Sequence, residues 1–142
     1  MKISAIVLLA STLFSGASFA EVPVDTRQLE RNKAKIVSRL YQATYGQVER
    51  CKKATPDAAA EFQNELSRFV EINGNLVKQV VQSPYYDPAR QRFSKHEAVD
   101  PVQDTPESLG RECKYLVQLL RSMNDTPEGK KSVKEYEALL SR

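Results

Sequence analysis

A threonine, a proline and an acidic residue stand together three times in this chain: Thr55-Pro56-Asp57, Thr105-Pro106-Glu107 and Thr126-Pro127-Glu128. Each triplet is suited to begin a helix. A threonine hydroxyl accepts from the free N–H groups of a first turn. Proline at the first helical position has given up an N–H that would lack a partner there. The acidic side chain meets the positive end of the helix dipole. Apolar residues at spacings of three and four follow each triplet, which makes these strong helix boundaries. Glycine is scarce, tryptophan is absent, and Lys, Arg, Glu, Gln, Ala and Leu are plentiful, all of which favours helices over sheets.

The predicted fold is all-α: a small four-helix, bundle-like domain with one long irregular connection and one disulfide. The first helix covers about 26–52, with Leu29, Ile36, Val37, Leu40, Val48 and Cys51 on its apolar stripe. The second covers about 56–82, with Phe62, Leu66, Phe69, Val70, Leu76, Val77 and Val80 facing the core; Asn73-Gly74 is placed to bend it. The third covers about 106–123, with a stripe of Leu109, Cys113, Leu116, Leu120 and Met123, and Val117 and Leu119 beside it. The fourth covers about 127–141. No segment alternates with period two, so no strand is expected. Residues 83–104 hold Pro84, Pro88 and Pro101 and read as irregular, with a turn or two of helix at 89–95.

Residues 1–20 read as a signal peptide rather than as part of the fold. Lys2 precedes an apolar run that ends in Ser18-Phe19-Ala20, with cleavage expected after Ala20. The run is too short for a permanent span, which takes about 20 apolar residues. The mature chain, 21–142, is then a single periplasmic domain without an integral membrane segment. Its formal charge, +3 for the whole chain, is close enough to balance that no nucleic-acid partner is expected.

The chain has two cysteines, each with charged neighbours: Glu49-Arg50-Cys51-Lys52 and Arg111-Glu112-Cys113-Lys114. In an oxidising compartment they predict one disulfide, Cys51–Cys113, fastening the end of the first helix to the third. A redox pair would ask for Cys-X-X-Cys spacing, and these two lie far apart. Metal and haem have little to hold them. His96 is the single histidine, and Met123, the only methionine of 21–142, fits a core stripe. No Gly-X-Ser-X-Gly elbow and no glycine-rich phosphate loop is present. The expectation is a protein without cofactor, metal or catalytic residues, and not an enzyme.

Two features remain for recognition. Arg27, Arg31, Lys35 and Arg39 recur every four residues along the first helix, either as a solvated face or as a surface for an acidic partner or an anionic envelope surface. Tyr85, Tyr86 and Phe93 lie among Arg90, Arg92 and Lys95. Tyrosine and arginine are enriched at binding hot spots, so Tyr85, Tyr86, Arg90, Arg92 and Phe93 are the candidate contacts for a partner protein; the alternative is that the aromatics fold back and cap the core. In outline the chain resembles several small envelope proteins: helical secretion pilotins, periplasmic immunity proteins and helical stress chaperones. It shares with the pilotin outline a cysteine late in an early helix and another in a late helix, and it lacks the lipidated cysteine. It also lacks the Leu-Thr-x-x-Gln repeats of the chaperones. The expectation is a non-catalytic exported protein-binding domain, such as an inhibitor or immunity protein against a toxin. The alternative is a pilotin-like accessory factor or chaperone for envelope secretion or assembly.

Overall fold

A computed structural model describes residues 25–95 and 99–142. The expected signal peptide at 1–20, the expected mature terminus at Glu21 and His96 lie outside the described residues. The elements run α1 (Thr26–Ala43), a 3-10 turn (Tyr45–Gln47), α2 (Val48–Lys52), α3 (Pro56–Ile72), α4 (Gly74–Gln82), α5 (Tyr86–Ser94), α6 (Pro106–Asp125) and α7 (Pro127–Leu140), with no strand among the described residues. No helix among them is long and apolar enough to cross a membrane.

The triplets start helices as expected, with one local difference. Thr105 Oγ1 accepts from Ser108 N at 3.1 Å, and Thr126 Oγ1 from Gly129 N at 3.0 Å. Thr55 makes no side-chain cap. Its backbone N donates to the Pro106 carbonyl at 3.3 Å instead. The starts of α3 and α6 therefore lie against each other. At the other end Arg68 Nη1 donates to Asp125 at 2.9 Å, and Asn73 Nδ2 donates to Asn124 Oδ1 at 2.9 Å. Start meets start and end meets end, so α3 and α6 run parallel. The helices α4 and α7 leave from the two paired asparagines and stay together, with Gln79 Nε2 donating to the Glu137 carbonyl at 3.2 Å and to Ser141 Oγ at 2.7 Å. The fold is thus two bent helical arms laid side by side in the same direction, with α1 and α5 packed across them.

The predicted first and second helices are each broken in two. The second parts at Asn73, as the Asn-Gly pair allowed; there φ is −111° and ψ 34°, outside the helical range. The first parts at Thr44, which the sequence reading missed. Thr44 Oγ1 donates to the Leu40 carbonyl at 2.6 Å, and ψ there is −93°. A β-branched hydroxyl that bonds back onto its own helix competes with the next turn. The break redirects α2 so that Cys51 meets α6. The segment 83–104 is more ordered than expected, since α5 spans Tyr86–Ser94. Its Pro88 falls in the first turn, where a missing N–H costs nothing.

The core is continuous from Val37, Leu40 and Tyr41 through Phe62, Leu66 and Phe69 to Leu109, Cys113, Val117, Leu120 and Met123. Full burial of a residue such as Phe62 or Phe69 contributes about 1.5–3 kcal/mol. The observed α6 stripe differs from the predicted one at a single position: Val117 is buried, while Leu116 is only half-buried. Glu61 and Glu65, one turn apart on α3, differ in their surroundings. Glu65 is buried between α3 and α6, accepting from Asn124 Nδ2 and Arg68 Nη1 at 3.0 Å and from Arg121 Nε at 3.3 Å. A carboxylate taken from water needs that number of partners. Arg68 also bonds Asp125.

Arg50 forms a second clamp. It donates to both oxygens of Asp104, at 2.9 and 3.0 Å, and to Glu112 at 2.9 Å. The Arg50 bond holds the Asp104 carboxyl below the usual carboxylate range, helped by the Asp100 backbone. A depressed folded pKa contributes stability above the unfolded pKa and loses it as pH falls through the lower folded value. Asp104→Asn should therefore be less stable than the parent at neutral pH. The difference should begin to narrow below about pH 4, where the unfolded aspartate takes up its proton, and close only below the lower folded value. Urea denaturation at pH 7 and pH 3 checks this; a gap as wide at pH 3 as at pH 7 would mean the clamp is not electrostatic.

Candidate functional site

The two predicted site groups have different fates. Cys51 and Cys113 are joined, with a Cα–Cα distance of 5.8 Å, and each is 1% exposed. The bond ties α2 to α6 beneath the Arg50 clamp, out of reach of solvent.

The aromatic segment folds inward. Tyr86 meets the buried Tyr41 ring edge-on at 5.6 Å, and Phe93 stacks on the same ring at 6.2 Å. Ala89 between them is buried. Tyr85 donates its hydroxyl to Glu30 of α1, which lowers the carboxyl and raises the phenol from their ordinary pKa values. The rings pack against α1 as the capping alternative expects, and Tyr85, Tyr86 and Phe93 each stay half-buried. Arg90 and Arg92 stay exposed, Arg90 paired with Asp87 one turn earlier at 3.2 Å.

Tyr85 also lines an open cavity of about 410 Å³ with Arg27, Glu30, Arg31 and Ala34 of α1, and a second open surface lies elsewhere. A groove of about 650 Å³ runs between the C-terminal part of α1 and the outer face of α6, lined by Arg39, Gln42, Ala43, Gln47, Arg111, Glu112, Tyr115, Leu116 and Leu119. Tyr115 is 67% exposed and Leu119 38%, although both are large apolar side chains. Single exposed apolar residues are ordinary. These share a concave surface with half-buried Leu116, and concavity with apolar lining is the form binding sites take.

The walls are fixed in place. On one side the turn at 45–47 and α2 are bonded to α6 through Cys51–Cys113 and through Arg50 to Glu112. Glu112, the one carboxylate of the lining, is only partly compensated, because it shares Arg50 with Asp104. Arg39 and Arg111 on the rim make no ion pair among the described residues, and neither do Arg27, Arg31 and Lys35 farther along α1. The groove is an apolar floor whose lip carries two unpaired arginines against one carboxylate.

Sequence reasoning missed this site. The available signal was a second apolar row on α6. Tyr115 and Leu119 stand at i and i+4, rotated off the 109-113-117-120 core line, where a solvated face would carry polar residues. Among the described residues no group of three or more His, Cys, Asp or Glu is arranged to hold a metal ion. No protein-family model, curated protein or solved structure matches the chain.

Proposed function

We propose that the protein is a non-catalytic, exported binding domain that engages another protein through the groove between α1 and α6. The observation that carries this reading is the exposure of Tyr115 and Leu119 on one concave, braced surface. Export is supported by the pairing of the chain's two cysteines, a bond that persists in oxidising compartments, and by the leader-like character of 1–20.

The bracing favours an inhibitor or immunity role over an accessory one. A surface held by a disulfide and an arginine clamp loses little freedom on association, which is how tight inhibitory interfaces are built. Secretion or assembly accessories, as the alternative, would share the groove and differ in the partner's identity.

Tyr115→Ala should leave the melting temperature within about 2 °C of the parent, because an exposed ring contributes little to folding. The same change should weaken partner binding by roughly tenfold or more, the loss typical of a central aromatic contact. A photo-crosslinking residue at position 115 in the producing cells should give a discrete heavier species, and one at exposed Lys78 should not. A product from position 92 with none from 115 would return the binding surface to the Tyr85–Phe93 segment.

A further inference from the structure

We propose that the occupant of the groove is an acidic, amphipathic α-helix presented by the partner protein. The inference rests on the groove-binding reading above and deepens it to the chemistry of the partner.

The walls decide the backbone of the occupant. Both are helices, whose N–H and C=O groups are bonded within their own turns. Among the described residues no strand edge is available on which an extended peptide could add itself. An occupant must arrive with its own backbone satisfied, and a helix does.

The floor decides its apolar face. Tyr115 and Leu119 lie one turn apart on α6, with Leu116 between them and Ala43 across the groove on α1. The small Ala43 side chain leaves room opposite the two larger ones. From Arg111 to Leu119 the groove follows about 12 Å of helix, using a rise of about 1.5 Å per residue. That length receives two or three apolar side chains spaced at i, i+4 and i+7, the anchors by which a helix seats in a groove.

The rim decides its charge. Arg39 and Arg111 line the two sides of the groove without ion pairs among the described residues, and these two cations outnumber the one carboxylate of the lining, Glu112, which also has Arg50 behind it. Arg31 and Lys35 continue the positive row from Arg39 along exposed α1. A helix with carboxylates flanking its apolar stripe meets a positive charge on each side. A helix with lysines there would be repelled by both walls, and like-charge juxtaposition is an effective means of rejecting wrong partners.

The test uses the mature chain, 21–142, and two synthetic peptides about five turns long. Both carry leucine at i, i+4 and i+7. One has glutamate on the flanks, and the other has lysine at the same positions. The acidic peptide should bind by fluorescence anisotropy at low salt and weaken as salt rises. Its amide chemical-shift changes should centre on Arg39, Arg111, Tyr115 and Leu119. The double variant Arg39→Glu/Arg111→Glu should lose roughly tenfold or more in affinity for the acidic peptide and prefer the basic one. Arg39→Gln/Arg111→Gln, which adds no charge, should show the loss without the reversal.

Equal binding of the two peptides, shifts centred elsewhere, or an unchanged affinity in the double variant would each overturn the inference. So would concentration-dependent dimerisation of the peptide-free protein that the double variant abolishes, since the occupant would then be a second copy. If the acidic peptide fails while position 115 still crosslinks a partner in cells, the groove reading stands and the acidic helix falls. If both fail, the groove reading falls with it.

Discussion

Replacing Cys51 and Cys113 together by alanine is expected to lower the unfolding free energy by about 4 kcal/mol, the chain-entropy value for a closed loop of this size. The bond closes a sequence separation of 62 residues, so the reduced unfolded chain gains much freedom. The folded side loses as well. α2 has five residues, far too few to hold helical form alone, and the disulfide is one of two covalent or ionic ties that dock it on α6. Urea denaturation of the oxidised parent, the parent in reductant and the double variant measures the effect. The last two should agree, because thiols and alanines both leave the loop open. A loss below about 1 kcal/mol would mean that the unfolded chain is already restrained near this geometry. Amide exchange should accelerate first in α2 and in the Asp104 turn, ahead of α3.

Gly129→Ala is expected to be nearly as damaging, costing about 3 kcal/mol, at the upper end of what overpacking a tight contact usually takes. A Cβ at Gly129 would overlap the carbonyl oxygen of Ser122 and stand 2.7 Å from the Cα of Met123. Those atoms are backbone in the last turns of α6, so no rotamer change relieves the contact. The α6–α7 junction itself must open, and the Gln79 bonds to α7 open with it. Gly74 is the control. It also has an ordinary negative φ, and a Cβ there meets nothing within 4 Å. Gly74→Ala should stabilise by about 0.5–1 kcal/mol through the unfolded chain. Thermal melts of the two variants should therefore move in opposite directions. A Gly129→Ala melt indistinguishable from the parent would show that the two arms are not pressed together at this corner.

The parts of this structure legible in the sequence are those set by local chemistry. The Thr-Pro-acid triplets mark the starts of α3, α6 and α7 because proline and the acid act within one turn. The cysteine pairing is legible because only one intramolecular connectivity exists. The Asn73 bend shows in its Asn-Gly pair. The break at Thr44 does not, because Ala43-Thr44-Tyr45 suits a helix as well as it suits a helix end; the Leu40 carbonyl and the pull of Cys51 toward α6 decide it. α5 was obscured by prolines that act as breakers only outside a first turn. The burial of Glu65 is not legible because its partners Arg121 and Asn124 lie more than fifty positions away and come near only when α3 and α6 pair. The groove was missed for a related reason. The α6 apolar line drawn through Leu116 absorbed a residue that belongs to the groove, and Tyr115 then looked like one exposed ring among solvated neighbours.

The parallel pairing of α3 and α6 also governs how the chain can acquire this shape. Antiparallel neighbours form as soon as a short turn allows, but parallel ones must wait for a returning segment to carry the chain back to the same end. Here the return is made by α4, α5 and the Asp100–Asp104 turn, so the principal helix pair joins residues some fifty positions apart. Closure of that length slows folding relative to bundles built from adjacent hairpins. For a chain released N-terminus first, Phe62, Leu66 and Phe69 stay uncovered until Val117 and Leu120 have emerged. Cys51 likewise spends that interval as a lone thiol, open to the wrong partner until Cys113 arrives.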